Sequence, residues 1–245
     1  MEALITRHAF ITGGGSGVGL AIAKAFVAKN VDVTIAGRDV SRLEATGLNF
    51  VQMDVTNEDS ITSGIKKAGH IDIFVANAGA AVTAPALKTS RDLWDQMIAV
   101  NLTSTFLCAR AAIPAMADQG WGRFIAIAST AALKGYPYTG AYAAAKHGVL
   151  GWIRTLALEL ALTGVTANAV CPGFTDTPLI DRALDKIAKT TNRSREEALA
   201  EFVKANPMRR LVATSEVANT VLWLASEEAA SINGQAIAID GGETA

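Results

Sequence analysis

Short apolar runs alternate with longer amphipathic stretches along the whole 245-residue chain. Seven runs are brief, rich in valine, isoleucine and phenylalanine, and mostly followed by turn-forming residues, a pattern that predicts buried strands. They cover residues 8–12, 31–36, 49–53, 71–75, 124–129, 165–170 and 235–239. Helical spacing of apolar residues separates these runs. Alternating strands and helices predict an α/β fold, a doubly wound parallel sheet in a single domain of residues 1–245.

Two of the predicted helices carry unusual patterns. The first covers residues 90–118, and Asn101 interrupts its apolar band. A mid-helix asparagine usually faces solvent or marks a local kink, but the apolar neighbours of Asn101 require a buried hydrogen-bond partner. The second runs from about residue 140 to 162 and is apolar nearly all round in its later turns. Such a helix is covered on both sides, which predicts a homotetramer or a homodimer.

A polar insert of about residues 177–207 follows the sixth strand. It contains two short helical patterns, and the second opens with Ser194 and Glu197 at capping-box spacing. Residues 178–210 hold eight Lys/Arg and five Asp/Glu in a chain of net charge −1. An insert at the carboxyl end of a strand is placed to act as a substrate lid. Its positive excess either meets an acidic handle, such as a CoA or carrier phosphate, or is an ordinary charged surface.

Composition narrows the class of protein. Half of the residues are hydrophobic and 18% are charged, as in a packed soluble domain. The near-neutral charge gives no reason to expect nucleic acid or a membrane as partner. The N-terminus lacks the apolar core of a signal peptide. Cys108 and Cys171 are isolated, so we expect no metal site, no disulfide framework and a cytoplasmic location.

A glycine-rich turn joins the first strand to a helix. Its candidate ligand-binding residues are Gly13, Gly15, Ser16, Gly17, Val18 and Gly19. Backbone N–H groups at the start of a helix face an anion, and missing side chains let the anion approach, so the turn predicts a phosphate cradle. The spacing is neither GxGxxG nor a P-loop, and a plain turn is the alternative.

The end of the second strand bears on cofactor choice. In a dinucleotide fold, an acid there favours NAD, whereas an arginine accommodates the 2′-phosphate of NADP. Gly37 and Arg38 favour NADP(H), while Asp39, twenty residues past Gly19, argues for NAD(H). NADP(H) is the favoured cofactor and NAD(H) stays open. The alternative for Arg38 is a solvated turn residue.

Tyr142 and Lys146 form the candidate chemical pair. Four residues apart on a helix, they share one face. An ammonium about 5 Å from the phenol would stabilise the phenolate by about 3 kcal/mol at an effective dielectric of about 20. We therefore expect Lys146 to lower the pKa of Tyr142 and to make it a proton donor and acceptor near neutrality. Ser129, at the end of the fifth strand, would lie at the same edge of the sheet.

With these residues placed, the chain resembles the short-chain dehydrogenase/reductase family over nearly its whole length. The motifs stand in the order Thr12-Gly13-x-x-x-Gly17-x-Gly19, Asn77-Ala78-Gly79, Asn101, Ser129, Tyr142-x-x-x-Lys146, Pro172-Gly173 and Thr177. Each motif is weak alone, but the set at these separations is highly specific. The resemblance implies a Rossmann-type fold. It also implies an enzyme that transfers hydride between NADP(H) or NAD(H) and a ketone or secondary alcohol.

The resemblance also implies roles for single residues. Tyr142 would be the general acid in ketone reduction and the general base in alcohol oxidation. Lys146 would lower its pKa and bind the nicotinamide ribose, and Ser129 would hydrogen-bond the substrate oxygen. Asn101 would hold a water that links Lys146 to solvent.

The remaining implied residues line the cofactor. The adenosine and pyrophosphate half would meet the turn from Gly13 to Gly19, Asp54, Val55, Asn77, Ala78 and Gly79. The carboxamide would meet Thr175 and Thr177, with backbone after Pro172 and Gly173. Thr175 departs from the family, which often has Val or Ile there. Ala76 departs as well, since many members have asparagine before Asn77.

Within the family, the chain looks closest to β-ketoacyl and polyketide-type ketoreductases and acetoacetyl-CoA reductases. Gly37-Arg38, residues 171–174 and residues 206–210 carry this likeness. Aryl-ketone and secondary-alcohol dehydrogenases share these features. An alternative from another class is a non-catalytic dinucleotide-binding sensor or scaffold. That reading would expect Tyr142 or Lys146 to be lost, and both are present.

Overall fold

Seven parallel strands form one sheet in the structure, a computed structural model that describes residues 6–191 and 194–245. The strands are β1 (His8–Thr12), β2 (Asp32–Gly37), β3 (Asn49–Gln52), β4 (Ile73–Ala76), β5 (Gly122–Ile127), β6 (Val165–Pro172) and β7 (Ala236–Ile239). Their order across the sheet is β3-β2-β1-β4-β5-β6-β7. The predicted doubly wound parallel sheet is confirmed.

Helices cover both faces of the sheet. They are α1 (Gly17–Val27), α2 (Val40–Glu44), α3 (Glu58–Ala68), α4 (Arg91–Ile98), α5 (Ser104–Asp118), α6 (Gly140–Glu159), α7 (Pro178–Thr191), α8 (Arg195–Val203) and α9 (Thr214–Leu224). On one face, α3, α5 and α6 pack over the stacked rings of Phe10, Phe74 and Phe124, whose centroids are 5.4 and 5.5 Å apart. On the other face, α1 and α9 pack together through residues such as Phe26 and Val221. The buried strands explain the continuous apolar runs of the sequence.

The helix predicted for residues 90–118 is interrupted. A wider π-type turn, Ala99–Thr103, separates α4 from α5 and has the buried Asn101 at its centre. Asn101 Nδ2 donates to the carbonyl of Met97, four residues earlier, at 3.0 Å. Turns of this kind place one additional residue in a helix and are frequent at functional sites. The expectation of a buried partner for Asn101 is confirmed.

Other element boundaries differ from the sequence prediction by one to three residues. Strand β5 ends at Ile127, and Ser129 instead caps a short turn, Thr130–Ala132, with its Oγ accepting from Ala131 N at 3.1 Å. Helix α6 ends at Glu159, before the predicted residue 162. The fourth strand, β4, begins at Ile73 instead of the predicted residue 71. The capping box of α8 is confirmed, since Ser194 and Glu197 bond to each other's backbone.

The run Arg91–Asp118 is long and apolar enough, by length and composition alone, to cross a membrane. Within the fold, 44% of its most apolar window is buried. Its α5 part packs on the sheet, with Cys108, Ala112 and Met116 in the core. A core helix passes the same length and composition test, so the run is explained by its packing.

The amino edge of the sheet carries a buried charged cluster. Asp72, only 2% exposed, accepts from His8 N and from Arg7 Nη1, each at 2.9 Å. The Trp121 ring lies between two guanidinium groups, with Arg7 at 3.7 Å and Arg123 at 4.3 Å from its centroid. The carboxylate therefore joins the start of β1 to the segment that leads into β4.

Removing this carboxylate is expected to destabilise the fold. Asp72→Ala leaves the His8 amide and the Arg7 guanidinium without their acceptor, and a buried donor without a partner costs about 1–3 kcal/mol. Urea denaturation followed by circular dichroism measures the loss. Glu159→Ala, at the exposed end of α6, is the control and should unfold like the wild type. An unchanged midpoint for Asp72→Ala would contradict the role given to this carboxylate.

Candidate active site

The strand order reverses between β1 and β4, and a group of hydrogen bonds joins the carboxyl ends of these two strands. Thr12 Oγ1 accepts from the backbone N–H groups of Asn77 and Ala78, both at 3.0 Å. In return, Asn77 Nδ2 donates to the carbonyl of Thr12 at 2.9 Å. Open α/β sheets bind ligands at such a reversal point, because the loops diverge there and leave a crevice.

The glycine turn lies directly against Asn77 and its hydrogen bonds. Gly13 and Gly17 have φ of 66° and 53°, a left-handed conformation that glycine adopts without strain. A β-carbon at Gly19 would lie 2.4 Å from the Gly13 carbonyl oxygen and 2.5 Å from Asn77 Nδ2. Helix α1 begins at Gly17, so its free N–H groups face the same crevice. The turn, which includes Gly15, Ser16 and Val18, is therefore compatible with a bound phosphate.

The ends of β2 and β3 form the outer rim of the crevice. Arg38 is exposed, and its guanidinium forms no hydrogen bond or ion pair with the residues that the structure describes. The Asp39 carboxylate is already engaged: it accepts from Ser41 Oγ at 2.7 Å and from Arg42 N at 3.2 Å, and so caps α2. Two hydrogen bonds from Thr56 lower the pKa of Asp54, and the nearby Arg38 charge lowers it further. Val55 beside it is buried.

Gly79, Asn101 and Lys146 meet behind the crevice. Asn101 Oδ1 accepts from Ala80 N at 3.2 Å, and Asn101 Nδ2 donates to the carbonyl of Ala80 at 2.9 Å. A β-carbon at Gly79 would lie 2.7 Å from Asn101 Oδ1 and 3.7 Å from Lys146 Nζ. The three residues therefore lie together, and the close approach of Asn101 Oδ1 requires glycine at position 79. The water relay through Asn101 stays a prediction.

Ser129, Tyr142 and Lys146 meet at the carboxyl end of β5. Lys146 Nζ is buried and donates to the carbonyl of Ile127 at 2.8 Å. It lies 5.8 Å from the centre of the Tyr142 ring, one helical turn earlier on α6. Tyr142 and Ser129 share a hydrogen bond. A proton donor, a hydroxyl partner and a cation are thus brought to one point from two elements of the fold.

The expected direction of the Tyr142 pKa shift is wrong for this structure. Burial raises the pKa of Tyr142, and the hydrogen bond with Ser129 offsets only part of that effect. Burial also lowers the pKa of Lys146 to about 8, because the charged form is desolvated. The spacing of the two residues predicts their proximity, but burial sets the direction of both pKa shifts.

The loop after β6 closes the site on the side of α1. The Thr175 hydroxyl donates to the carbonyl of Gly173 at 2.9 Å, and Thr177 Oγ1 donates to the carbonyl of Thr175 at 3.2 Å. A β-carbon at Gly17 would lie 3.4 Å from Thr177 Cγ2, so this loop reaches the glycine turn. The hydroxyl of Thr175, where the related family often has an aliphatic residue, is satisfied within its own loop.

Two residues near the site received no role from the sequence. Thr12 stands in the glycine motif, yet only the structure shows that its hydroxyl orders Asn77 and Ala78. Cys171, fully buried on β6, lies beside Ser129 and Lys146, and burial raises the pKa of its thiol to about 11. The signal for Thr12 is a hydroxyl that directly precedes the turn. No pattern in the sequence marks Cys171, which reads as one more apolar strand residue.

Comparison with known proteins gives the same picture. Residues 13–244 match the sequence profile of a family described as enoyl-(acyl carrier protein) reductase. D-beta-hydroxybutyrate dehydrogenase of Rhizobium meliloti (strain 1021) is 36% identical over 257 residues, which cover 98% of this chain and 100% of that protein. The 3-oxoacyl-(acyl-carrier-protein) reductase MabA of Mycobacterium tuberculosis (strain CDC 1551 / Oshkosh) is 36% identical over 242 residues, 97% of this chain and 93% of its own.

The chain belongs to the short-chain dehydrogenase/reductase family. Solved structures agree with this assignment across the whole fold. Levodione reductase superposes with a TM-score of 0.91 at 29% identity and covers 97% of each chain. An actinorhodin polyketide ketoreductase variant with NADPH superposes with a TM-score of 0.89 at 31% identity, over 100% of this chain and 98% of its own.

The family assignment confirms the predicted activity class. The protein is an oxidoreductase that transfers hydride between a nicotinamide cofactor and a small-molecule ketone or alcohol. When bound, that cofactor supplies or accepts the hydride. That the glycine turn, Asp54, Val55 and Asn77 would hold its adenosine and phosphate half stays a prediction. The same is true of the loop after β6 and Lys146 for the nicotinamide half.

The buried ammonium gives the protein a defined dependence on pH. The pKa of Lys146 is about 8 in the fold against 10.5 when unperturbed, so the unfolded chain binds more protons between these values. Stability supplied by this site therefore rises as the pH increases from about 8 to 10.5. The free energy of unfolding of wild type minus that of Lys146→Met is expected to increase over this range, as measured by urea denaturation. A pH-independent difference would show that the ammonium is not desolvated. His147→Ala, which removes an exposed side chain on the same helix, is the control for the same measurement.

Proposed function

We propose that this protein is an NADPH-dependent carbonyl reductase in which Tyr142 donates the proton to the substrate oxygen. The observation that carries the proposal is the convergence of the Tyr142 hydroxyl with Ser129, above the buried Lys146 ammonium. Because burial raises the pKa of Tyr142, its phenol is protonated at neutral pH. A protonated phenol is the form needed for ketone reduction, whereas alcohol oxidation needs the phenolate.

Each residue has one task in the proposed mechanism. Ser129 hydrogen-bonds the substrate oxygen and stabilises its developing charge, while Tyr142 transfers its proton to that oxygen. Lys146 holds positive charge behind the phenol as it becomes a phenolate, and binds the nicotinamide ribose. Asn101 fixes the loop of Gly79 and Ala80 against Lys146 and holds the relay water. The hydrogen bonds of Asn101 to Ala80 support the first of these two tasks.

A 3-oxoacyl compound is the proposed substrate class. The hydroxybutyrate dehydrogenase and the 3-oxoacyl reductase, both 36% identical, share by name an oxidised or hydroxylated third carbon of an acyl chain. An aryl ketone is the alternative, and the aromatic residues Phe174 and Phe202 beside the site favour it. A panel with acetoacetyl-CoA and acetophenone-like ketones separates the two classes.

We further propose the setting in which this chemistry takes place. Residues 1–245 act as one catalytic domain with the insert of about 177–207 as substrate lid, and the protein is cytoplasmic. Leu158 near the end of α6 and Leu162 just beyond it are 81% and 101% accessible, and this uncovered apolar surface supports a homotetramer or homodimer. The non-catalytic sensor is disfavoured by the intact Tyr142 and Lys146.

Replacing the proton donor is expected to lower turnover without weakening the binding of NADPH. Tyr142→Phe should lower kcat/KM for the ketone by about 10²–10⁴-fold, the usual contribution of general acid catalysis. The Kd of NADPH, measured by fluorescence titration, should stay close to that of the wild type. The matched control is Tyr138→Phe, four residues upstream and 62% exposed, which should keep full turnover. Undiminished turnover in Tyr142→Phe would contradict the mechanism.

The choice of cofactor is expected to depend on Arg38. The exposed guanidinium is free to meet a 2′-phosphate, whereas the Asp39 carboxylate caps α2. Arg38→Ala should raise the Kd of NADPH by about 10–100-fold, as expected for the loss of a charge-assisted hydrogen bond. The Kd of NADH should stay nearly unchanged.

The comparison variant for this experiment is Asp39→Ala, assayed with the same two cofactors. If Asp39 instead bound the adenosine ribose, this variant would raise the Kd of NADH, and the proposed preference for NADPH would be wrong. An NADPH/NADH ratio of Kd values that does not change in Arg38→Ala would be equally contrary to the proposal.

A further inference from the structure

A buried carboxylate, that of Glu243, lies beside the proposed substrate side. The Glu243 side chain is only 1% exposed and follows β7 by four residues. Its Oε1 accepts from the Tyr136 hydroxyl at 2.5 Å and pairs with Lys134 Nζ at 3.0 Å. Lys134 Nζ also donates to the backbone carbonyl of Glu243 at 3.2 Å. Burial of a carboxylate is tolerated only with such partners, so these contacts hold the group in place.

Both partners of Glu243 belong to the loop that joins Ser129 to α6. The Tyr136 hydroxyl is also hydrogen-bonded to Thr130 Oγ1 at 2.7 Å, and Thr130 directly follows Ser129. The phenol of Tyr136 therefore connects the tail after β7 to the turn that presents Ser129. We call Glu243, Lys134 and Tyr136 the tail latch.

The latch also contacts the other walls of the site. The Tyr136 ring meets Phe174 edge-on at 6.0 Å, and Phe174 meets Phe202 of α8 at 4.9 Å. A β-carbon at Gly173 would lie 3.5 Å from Glu243 Oε2. The loop after Ser129 and the turn after β6 thus meet at one carboxylate, and the insert joins them through the contact of Phe202 with Phe174.

We propose that Glu243 is a positioning residue for the substrate. Through Tyr136 it fixes the turn that carries Ser129 and the aromatic wall formed with Phe174. Glu243 does not touch the reacting atoms. The proposal rests on the roles of Ser129 and Tyr142 given under the proposed function.

Three variants separate the contacts of the latch. Tyr136→Phe removes the hydroxyl and keeps the ring on Phe174. Glu243→Ala removes both contacts of the carboxylate, and Glu243→Gln restores an acceptor for Tyr136 without the charge. At saturating NADPH, Tyr136→Phe and Glu243→Ala should raise the ketone KM about tenfold or more, with a smaller change in kcat and an unchanged Kd of NADPH. Glu243→Gln should recover part of the loss.

A double variant tests whether Glu243 acts through Tyr136. If it does, adding Tyr136→Phe to Glu243→Ala should change KM little further, because the contact is already lost. Thr244→Val, on the same tail, is the matched control. It removes the Thr244 bond to Asp240 and should keep the wild-type KM.

Several outcomes would overturn the positioning role. They are an unchanged ketone KM in Tyr136→Phe, independent effects of the two substitutions, and an equal loss of NADPH affinity and ketone affinity. If Glu243→Ala does not fold, Tyr136→Phe and Glu243→Gln decide the matter alone. Undiminished turnover in Tyr142→Phe contradicts the proposed function, whereas normal wild-type turnover with an unaltered KM in Tyr136→Phe contradicts only the role of the latch.

Discussion

The buried ammonium of Lys146 is the constraint on which the site depends. A charge without water needs a fixed acceptor, and the carbonyl of Ile127 at the last residue of β5 supplies one at 2.8 Å. That bond sets the position of α6 along the sheet, and thereby places Tyr142 one turn earlier beside Ser129. Next to the ammonium, the missing side chain of Gly79 leaves room for Asn101 Oδ1, which a β-carbon would approach to 2.7 Å. The strand end, the helix and the loop after β4 are therefore mutually dependent.

Local patterns carried most of the fold and much of the site. Apolar runs in a parallel sheet are continuous, so all seven strands could be predicted within a few residues. Helical periodicity placed Tyr142 and Lys146 on one face, and the apolar surroundings of Asn101 required a buried partner for its amide. In each case neighbours in the sequence determine the outcome.

Other features depend on contacts that the local pattern does not contain. The sign of the Tyr142 pKa shift follows from desolvation, which depends on what packs over the helix. The π-type turn at Asn101 depends on a bond to Ala80, 21 residues away. The Tyr136–Glu243 contact spans 107 residues and arises only when β7 is placed beside β6. Hydrophobic periodicity cannot show which distant polar groups become partners.

The two thiols give the molecule a chemical property of their own. Burial raises the pKa of Cys171 to about 11 and that of Cys108 to about 12. Thiol oxidation and alkylation proceed through the thiolate, which is scarce at such pKa values and is here also shielded from solvent. Although Cys171 is adjacent to Ser129 and Lys146, its thiol in the folded state is therefore a poor nucleophile toward oxidants and alkylating agents.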